Sequence, residues 1–192
     1  MGILKKPLPV KYFIGMLSSE RGLFLSCEEA LVERYGPIDL RSEIIPWTHS
    51  EYYRGEMGDG LLRKFISFDK LGEPERLPLI KQLMIDLENT WSIDRRDARC
   101  RRINIDPGYL TEAKVVLATT KDYAHRLYIG GNIYAEVELN YRKDIPGYVP
   151  LEHTYPDFRN NGTLDWFNKA RDVLRRSLLS NGQLKKDRTL AP

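Results

Sequence analysis

The sequence predicts an α+β fold built on an antiparallel sheet, and two features of its hydrophobic pattern support this prediction. Strand-like and helix-like segments alternate in the order βαββαβ up to Asp106. Of the four strands, the first, Val10–Leu17, is almost continuously apolar, and the third, Leu61–Phe68, is apolar and aromatic enough for a central strand covered on both faces. We therefore expect a ferredoxin-like sheet with strand order 4-1-3-2, extended by a C-terminal β-hairpin and helix.

The first helix follows the first strand directly. Ser26 and Glu29 have the spacing of a capping box, which places the start of the helix near them. Gly36 and Pro37 end the helix, because glycine accepts positive φ and proline cannot continue a helical turn. Its buried stripe is expected to comprise Cys27, Leu31 and Tyr35.

The second strand, Ile38–Ile44, alternates apolar and charged residues, which is typical of an edge strand with one wet face. A second helix follows Pro74, and the spacing of its apolar residues predicts a buried stripe of Ile80, Leu83, Met84, Leu87 and Trp91. The fourth strand, Arg101–Ile105, is predicted to end at Asp106-Pro107-Gly108 in a type II turn, because proline presets φ and glycine accepts positive φ.

The rest of the chain is expected to add one strand, a hairpin and a final helix. The strand is Ala113–Ala118, the hairpin joins Arg126–Ile129 to Ile133–Asn140, and the helix spans about 164–179. The buried stripe of this helix is expected to be Phe167, Ala170, Leu174 and Leu178. A three-residue loop, 130–132, would pair Ile129 with Ile133, Leu127 with Ala135, and Arg126 with Glu136 as an ion pair.

Length and composition predict one domain over residues 1–182, followed by a disordered tail at 183–192. The formal net charge of +3 is too small to indicate a nucleic-acid-binding protein by itself. Cys27 and Cys100 lie far apart and outside any metal-binding spacing, which favours a reducing compartment. We expect a cytoplasmic protein with no membrane role, because no export signal or long apolar run is present.

A cluster of polar residues forms the main candidate for a functional site. Lysine and arginine can hold a phosphate while a histidine or carboxylate moves a proton, so the predicted ligand is a small phosphorylated compound or nucleotide, with hydrolysis or group transfer as its chemistry. The predicted catalytic residues are Asp106, His125 and Asp157. The predicted ligand-binding residues are Lys121, Asp122, Arg126, Tyr155 and Arg159. Cofactor, reaction and oligomeric state stay open, and a plain alternative is that Asp106 only stabilises its own turn.

Two other interpretations come from different residues. The arginines between 95 and 102 could form an RNA- or protein-binding surface without enzymatic activity, although Asp94 and Asp97 dilute the charge. Tyr134, Glu136 and Glu138 share one face of the hairpin, which suits either a solvated surface or a divalent-metal site. We assign no metal site, because solvated strand faces have the same pattern and no zinc-type spacing is present.

Several segments resemble the bacterial domain of unknown function 4416 family. They are PVKYFIG, GPIDLRSE, YY…EMG, INIDPGYL, ATTKDYAHR, IYAEVEL and TYPDF. The resemblance implies no specific activity, since the family is functionally uncharacterised. Some members carry a GTP-binding label, but this chain has no G-x-x-x-x-G-K-[ST] loop to hold phosphates. It also has His153 where the family usually has tryptophan and Phe158 where tyrosine is usual, which argues against a catalytic role for His153.

Overall fold

The structure, a computed structural model, describes residues 2–49, 52–95 and 98–184. Within these ranges the protein is a mixed α/β structure with a nine-stranded antiparallel sheet, a two-stranded ribbon and four α-helices. The strands are β1 (Lys11–Ser18), β2 (Ile38–Arg41), β3 (Ile45–Pro46), β4 (Leu62–Phe68), β5 (Ile93–Arg95), β6 (Ala98–Cys100), β7 (Ile103–Leu110), β8 (Lys114–Thr119), β9 (Leu127–Gly130), β10 (Ile133–Arg142) and β11 (Gly147–Pro150). The α-helices are α1 (Arg21–Tyr35), α2 (Arg54–Met57), α3 (Leu77–Thr90) and α4 (Asn161–Ser180), and Pro74–Arg76 and Pro156–Arg159 form 3₁₀ helices.

The strands of the large sheet run in the order β11-β10-β8-β7-β1-β4-β2, with β3 also beside β4 and β9 also beside β10. Strands β5 and β6 form the separate ribbon. The predicted mixed α and β structure and the antiparallel sheet are therefore confirmed. The short strands β3 and β11 and the ribbon were not predicted, because they contain two to four residues and show no clear periodicity.

Helices cover both faces of the sheet. Helices α1 and α3 pack on one face, where Phe24, Leu31, Ile80 and Met84 contact Ile14 and its neighbours on β1, β4 and β7. Helix α4 packs on the other face, against Phe13, Phe65 and Leu110. Its buried residues include the predicted stripe of Phe167, Ala170, Leu174 and Leu178. All eight residues of β1 are buried, as predicted for a strand covered on both sides.

The predicted turn at Asp106-Pro107-Gly108 is wrong, since β7 passes through all three residues and reaches Leu110. Pro107 lies opposite Ile14 and Gly108 lies opposite Phe13 in the pairing with β1. A Cβ atom on Gly108 would come within 2.3 Å of the Phe13 ring and 2.4 Å of the Val116 carbonyl oxygen. The glycine is needed for close packing in a strand rather than for positive φ in a turn.

Strands β7 and β8 pair only between Gly108–Leu110 and Val115–Leu117. Before Gly108 the two strands separate, so the backbone of β7 needs other hydrogen-bond partners. Ile105 N–H donates to Glu88 Oε1 at 2.6 Å, and Ile105 carbonyl oxygen accepts from Lys81 Nζ at 2.9 Å. Two charged side chains of α3 thus supply the hydrogen bonds that β8 does not make to Ile105. Pro107 lies on the same side of the β7 backbone as Ile105 and has no N–H that needs a partner.

Two local predictions in the helices and the hairpin need correction. Helix α1 begins at Arg21, so Ser26 lies inside it and forms no capping box with Glu29. In the hairpin, Leu127 pairs with Ala135 as predicted, but Ile133 pairs with Gly130 rather than with Ile129. The turn residues are Gly131 and Asn132, both at φ 61°, which is typical of a two-residue type I′ turn. A register shift between Ile133 and Tyr134 then restores the predicted pairing of Leu127 with Ala135.

The chain beyond α4 is only partly described. Gly182 has φ 67°, and the following Leu184 N–H donates to the Leu178 carbonyl oxygen at 3.2 Å. Leu184 is buried in the α4 cluster. Residues 185–192, which form most of the predicted disordered tail, lie outside the described residues.

Candidate functional site

The separation of β7 from β8 opens a cavity of about 370 Å³ in the sheet. Its position follows from the strand pairing, because β7 and β8 are paired only from Gly108 onward and the charged residues Lys81 and Glu88 of α3 reach the gap before it. The polar and aromatic residues that line the cavity are Trp47, His49, Tyr52, Tyr53, Arg63, Lys81, Glu88, Arg101, Asn104, Asp106, Thr119, Thr120, Lys121, Tyr155 and Asp157. A volume in this range suits a small-molecule ligand.

Asp106 lies at the floor of the cavity, with its side chain 19% exposed. Lys81 Nζ donates to Asp106 Oδ1 at 2.9 Å, and the Asn104 amide donates to Oδ2 at 2.5 Å. Burial alone would raise the pKa of Asp106, but the charges of Lys81 and Arg63 and the two hydrogen bonds outweigh burial and lower that pKa. Asp106 is therefore held as a carboxylate at neutral pH.

Glu88 is the second carboxylate at the floor, and its environment has the opposite effect. Its Oε1 lies 3.9 Å from Lys81 Nζ, and its Oε2 lies 3.4 Å from Arg101 Nη1. Burial nevertheless dominates, assisted by the charge of Asp106, and raises the pKa of Glu88. Arg101 also forms a two-pronged contact with Glu56, in which Nε and Nη2 each donate at 2.8 Å.

Arg63 and Asp157 form a buried ion pair on the cavity wall. Arg63 is 5% exposed and Asp157 is 1% exposed. Arg63 Nε lies 2.8 Å from Asp157 Oδ2, but the N–H does not point at that oxygen, so the contact is an ion pair without an aligned hydrogen bond. Among the described residues, neither oxygen of Asp157 accepts a hydrogen bond. Buried carboxylate oxygens are rarely left in this state.

Aromatic side chains and one lysine form the rim. Tyr52 and Tyr53 meet edge to face at 5.0 Å, and Trp47 meets Tyr53 at 6.3 Å. Lys121 Nζ lies 3.7 Å from the centre of the Tyr52 ring, a cation–π contact. Thr119 accepts a hydrogen bond from the backbone N–H of Lys121 at 3.2 Å, which shapes the loop after β8.

Arg126 joins three parts of the structure just outside the cavity. Its Nε donates to Glu136 Oε1 at 3.0 Å, which confirms the predicted ion pair. Its Nη1 donates to the Lys121 carbonyl oxygen at 3.1 Å, and its Nη2 donates to the Tyr155 hydroxyl at 2.7 Å. Arg126 therefore positions the Lys121 and Tyr155 segments and is not free to hold a phosphate.

The predicted site residues divide into two groups. Asp106, Lys121, Tyr155 and Asp157 line the cavity together, as predicted. His125, Asp122, Arg126 and Arg159 do not line it, so the prediction that all three catalytic candidates share one cavity is wrong for His125.

These four residues have other surroundings. His125 Nε2 lies 2.8 Å from Glu136 Oε2, and its ring stacks on His153 at 4.2 Å. Arg159 donates to the backbone carbonyl oxygens of Leu151, Glu152 and Thr154, and Asp122 is exposed in the loop before β9.

Four charged residues of the cavity were not among the predicted site residues: Arg63, Lys81, Glu88 and Arg101. A signal was present for the helical pair, because Lys81 and Glu88 lie seven residues apart and so share the buried side of α3. Arg63 is likewise a buried charge in a strand assigned to the core, next to Lys64. Charged residues at positions that the periodicity assigns to the core are therefore informative here.

The predicted solvated face of the hairpin is also wrong. Glu136 and Glu138 are both buried, and a register shift between Val137 and Leu139 places Glu138 in a bulge. Glu138 Oε2 accepts from the Tyr155 N–H at 3.0 Å. Burial, and then the nearby charge of Glu136, raise the pKa of Glu138 to about 8. Within the described ranges no group of three metal-ligating side chains is present.

Three arginines of the alternative RNA- or protein-binding surface have hydrogen-bond or ion-pair partners within the protein. Arg101 contacts Glu56 and Glu88, Arg102 pairs with Glu20, and Arg99 donates to the Asn89 carbonyl oxygen at 2.7 Å. Arg96 lies outside the described residues.

The fold and the cavity together define a mixed α/β protein with a ligand-sized, polar and aromatic site where its antiparallel sheet separates. The chain belongs to the family described as Domain of unknown function (DUF4416), whose family model matches residues 8–173. The resemblance drawn from the sequence motifs is thus confirmed. Searches of curated proteins and of solved structures each found no match. None of the helices in the described part of the chain is long and apolar enough to cross a membrane.

Proposed function

We propose that this protein binds a small phosphorylated ligand, of the size and chemistry of a nucleotide, in the cavity between β7 and β8. The observation that carries the proposal is the pairing of an aromatic rim with a cation on the same cavity. Tyr52, Tyr53 and Trp47 offer surfaces for a flat ring, and aromatic stacking on a base is favourable for every base type. Lys121 and the hydroxyls of Thr119 and Thr120 offer donors to a phosphate.

The phosphate fits the Lys121 side of the cavity better than the floor. The floor cations Arg63, Lys81 and Arg101 each have a carboxylate within 3 Å. Lys121 has no carboxylate contact within the described residues, and its amine lies over the Tyr52 ring. A phosphate at Lys121 would gain a charge-assisted hydrogen bond without displacing an existing ion pair.

The chemistry we propose is hydrolysis or group transfer at a bond in the part of the ligand that reaches the floor, away from its phosphate. Asp106 and Glu88 both contact Lys81, yet the pKa of Asp106 is lowered and that of Glu88 is raised. Neighbouring carboxylates with opposite shifts are a common arrangement for an acid and a base in one site. Asp106 would accept a proton and Glu88 would donate one.

Thermal-shift and calorimetric titration with nucleoside mono- and triphosphates test the binding proposal. A ligand at one hundred times its Kd stabilises a protein by about 2.7 kcal/mol, so a clear rise in Tm is expected. Lys121→Gln should weaken binding about tenfold, because one charge-assisted contact is worth about 1.5 kcal/mol. Lys114→Gln, the same charge change at the other end of β8, should leave binding unchanged. Equal affinities for the two variants would contradict the proposal.

The alternative is an RNA- or protein-binding module that uses the arginines between 95 and 102. RNA binding measured over a salt series separates the two, since phosphate contacts give a steep salt dependence. Tight RNA binding that Arg102→Gln weakens and Lys121→Gln does not would favour the alternative. We favour the cavity, because Arg99, Arg101 and Arg102 already have protein partners.

We also propose that β7-β1-β4-β2, with α1 and α3 on one face, is a ferredoxin-like unit in the predicted order 4-1-3-2. The antiparallel pairing of β1 with both β4 and β7, and of β2 with β4, supports this classification. A single domain, a bacterial origin and a cytoplasmic location stay predictions, and fractionation of the source cells would test the location.

A further inference from the structure

The inference concerns the orientation of the ligand, and it starts from the unusual state of Asp157. This side chain lines the cavity and is 1% exposed, and neither of its oxygens accepts a hydrogen bond among the described residues. Arg63 supplies a nearby positive charge but no aligned N–H. A buried acceptor without a donor is costly, and native proteins keep such groups mainly where a ligand or water completes them.

The charges around the floor restrict what can approach Asp157. Three cations, Arg63, Lys81 and Arg101, face three carboxylates, Glu88, Asp106 and Asp157. A phosphate placed there would meet the carboxylates of Asp106 and Asp157, and like charges at short range in a buried site repel strongly. A neutral group with an N–H or O–H would instead satisfy Asp157 without adding charge.

We infer that Asp157 accepts a hydrogen bond from a ribose hydroxyl or a base amino group, so that the neutral end of the ligand enters the cavity and its phosphate stays at Lys121. This inference rests on the proposed function, because it assumes a nucleotide-like ligand. It fixes the direction in which the ligand lies. Asp157 accepts a hydrogen bond at the inner end, the aromatic rim contacts the ring, and Lys121 binds the phosphate.

The test begins with ligand variants and the unmodified protein, so it does not depend on how a mutant folds. The 5′-monophosphates of adenosine, guanosine and cytidine, whose bases all carry an exocyclic amine, are ranked by calorimetry. The tightest is compared with its 2′,3′-dideoxy form and with an analogue that lacks the exocyclic amine. One of these two deletions should lower the affinity at least tenfold, because it removes the donor to Asp157. Equal affinity for the parent and both analogues would overturn the inference.

Protein variants then locate the donor. Asp157→Asn keeps one acceptor oxygen but loses the charge, so it should lower the affinity for the parent nucleotide and for the nucleoside alike and roughly halve the free-energy difference between parent and analogue. Asp165→Asn, which removes the same charge from the exposed side of α4, should change none of these affinities. Lys121→Gln should lower the affinity for the nucleotide and for ribose 5-phosphate but not the affinity for the nucleoside. The reverse pattern, with Lys121→Gln affecting the nucleoside and Asp157→Asn affecting only phosphate-bearing probes, would contradict the proposed orientation.

Failure of the inference can be told apart from failure of the proposed function. If no nucleotide, nucleoside or ribose 5-phosphate binds, the proposed function itself is wrong. If a nucleotide binds and Lys121→Gln weakens it, while neither the analogues nor Asp157→Asn has an effect, the function stands and the orientation is wrong. If Asp157→Asn unfolds, as shown by circular dichroism, the analogue series with the unmodified protein decides.

Discussion

Gly108 shows that a glycine in a sequence can indicate either a turn or close packing within a strand. In an Asp-Pro-Gly segment glycine usually indicates a turn, but here it lies in the middle of β7 under the Phe13 ring. Glu138 is a second case, since its place in an alternating strand predicted exposure and a bulge instead buries it. At the scale of single residues, both surprises arise from neighbours that are distant in sequence.

Gly108→Ala should destabilise the protein by about 3 kcal/mol, at the upper end of the usual cost of overpacking. The added Cβ would meet the Val116 carbonyl oxygen at 2.4 Å, and backbone cannot move aside as a flexible side chain can. Urea denaturation measures the change. Gly22→Ala in α1 is the matched control, because a Cβ there meets nothing within 4 Å; it should leave stability unchanged or raise it by up to about 1 kcal/mol. Similar effects at the two sites would refute the packing argument.

Glu138→Gln should make the protein more stable at alkaline pH and should have little effect near pH 4.5. The folded protein holds Glu138 protonated up to a pKa of about 8, whereas the unfolded chain loses that proton near 4.5. The stabilising effect of the protonated form is therefore complete below pH 4.5 and is lost as the pH rises to about 8.

The measurement is the difference in unfolding free energy between Glu138→Gln and the unmodified protein from pH 4.5 to 9. A tenfold difference in proton affinity corresponds to about 1.4 kcal/mol, so the difference should reach several kcal/mol at the alkaline end. Glu152→Gln, at an exposed position with the same charge change, should show a flat difference. A flat difference for Glu138→Gln too would mean that Glu138 is ionised in the folded protein.

At the scale of elements, helix α3 does more than cover the sheet. Its apolar residues Ile80 and Met84 pack on β1 and β7, while Lys81 and Glu88 supply hydrogen bonds that a neighbouring strand would normally provide. The helix thus stabilises an opening in the sheet that backbone pairing alone would leave unsatisfied.

Lys81→Met should destabilise the protein by about 3–5 kcal/mol, the usual effect of removing one partner of a buried ion pair. Asp106 would lose its closest cation and the Ile105 carbonyl oxygen would lose its donor, although the methionine fills a similar volume. Chemical denaturation at pH 7 is the measurement, with the exposed Lys70→Met as the control. A change below about 1 kcal/mol would show that water replaces the Lys81 amine without loss.

At the scale of the whole molecule, periodicity located the main strands and helices because burial on one or both faces leaves a regular pattern. Local signals failed at Gly108, where contacts with residues distant in sequence decide. They also gave the wrong helix start at Ser26 and the wrong turn residues in the hairpin, where Gly131 and Asn132 form the turn. The lining of the cavity was predicted in part: Asp106, Lys121, Tyr155 and Asp157 were named from sequence motifs. Arg63, Lys81, Glu88 and Arg101 line the cavity because strands and helices distant in sequence meet there, and no local pattern records that meeting.

The small number of residue pairs between β7 and β8, three in all, affects how easily the sheet opens locally. These pairs connect the part of the sheet formed by β2, β4, β1 and β7 to the part formed by β8, β10 and β11, and we call them the seam. Amide hydrogens at this seam should exchange through partial opening rather than global unfolding. A ligand that touches Asp106 on one side and Lys121 on the other would tie the two parts together, so its binding should appear as slowed exchange at Tyr109 and Val116.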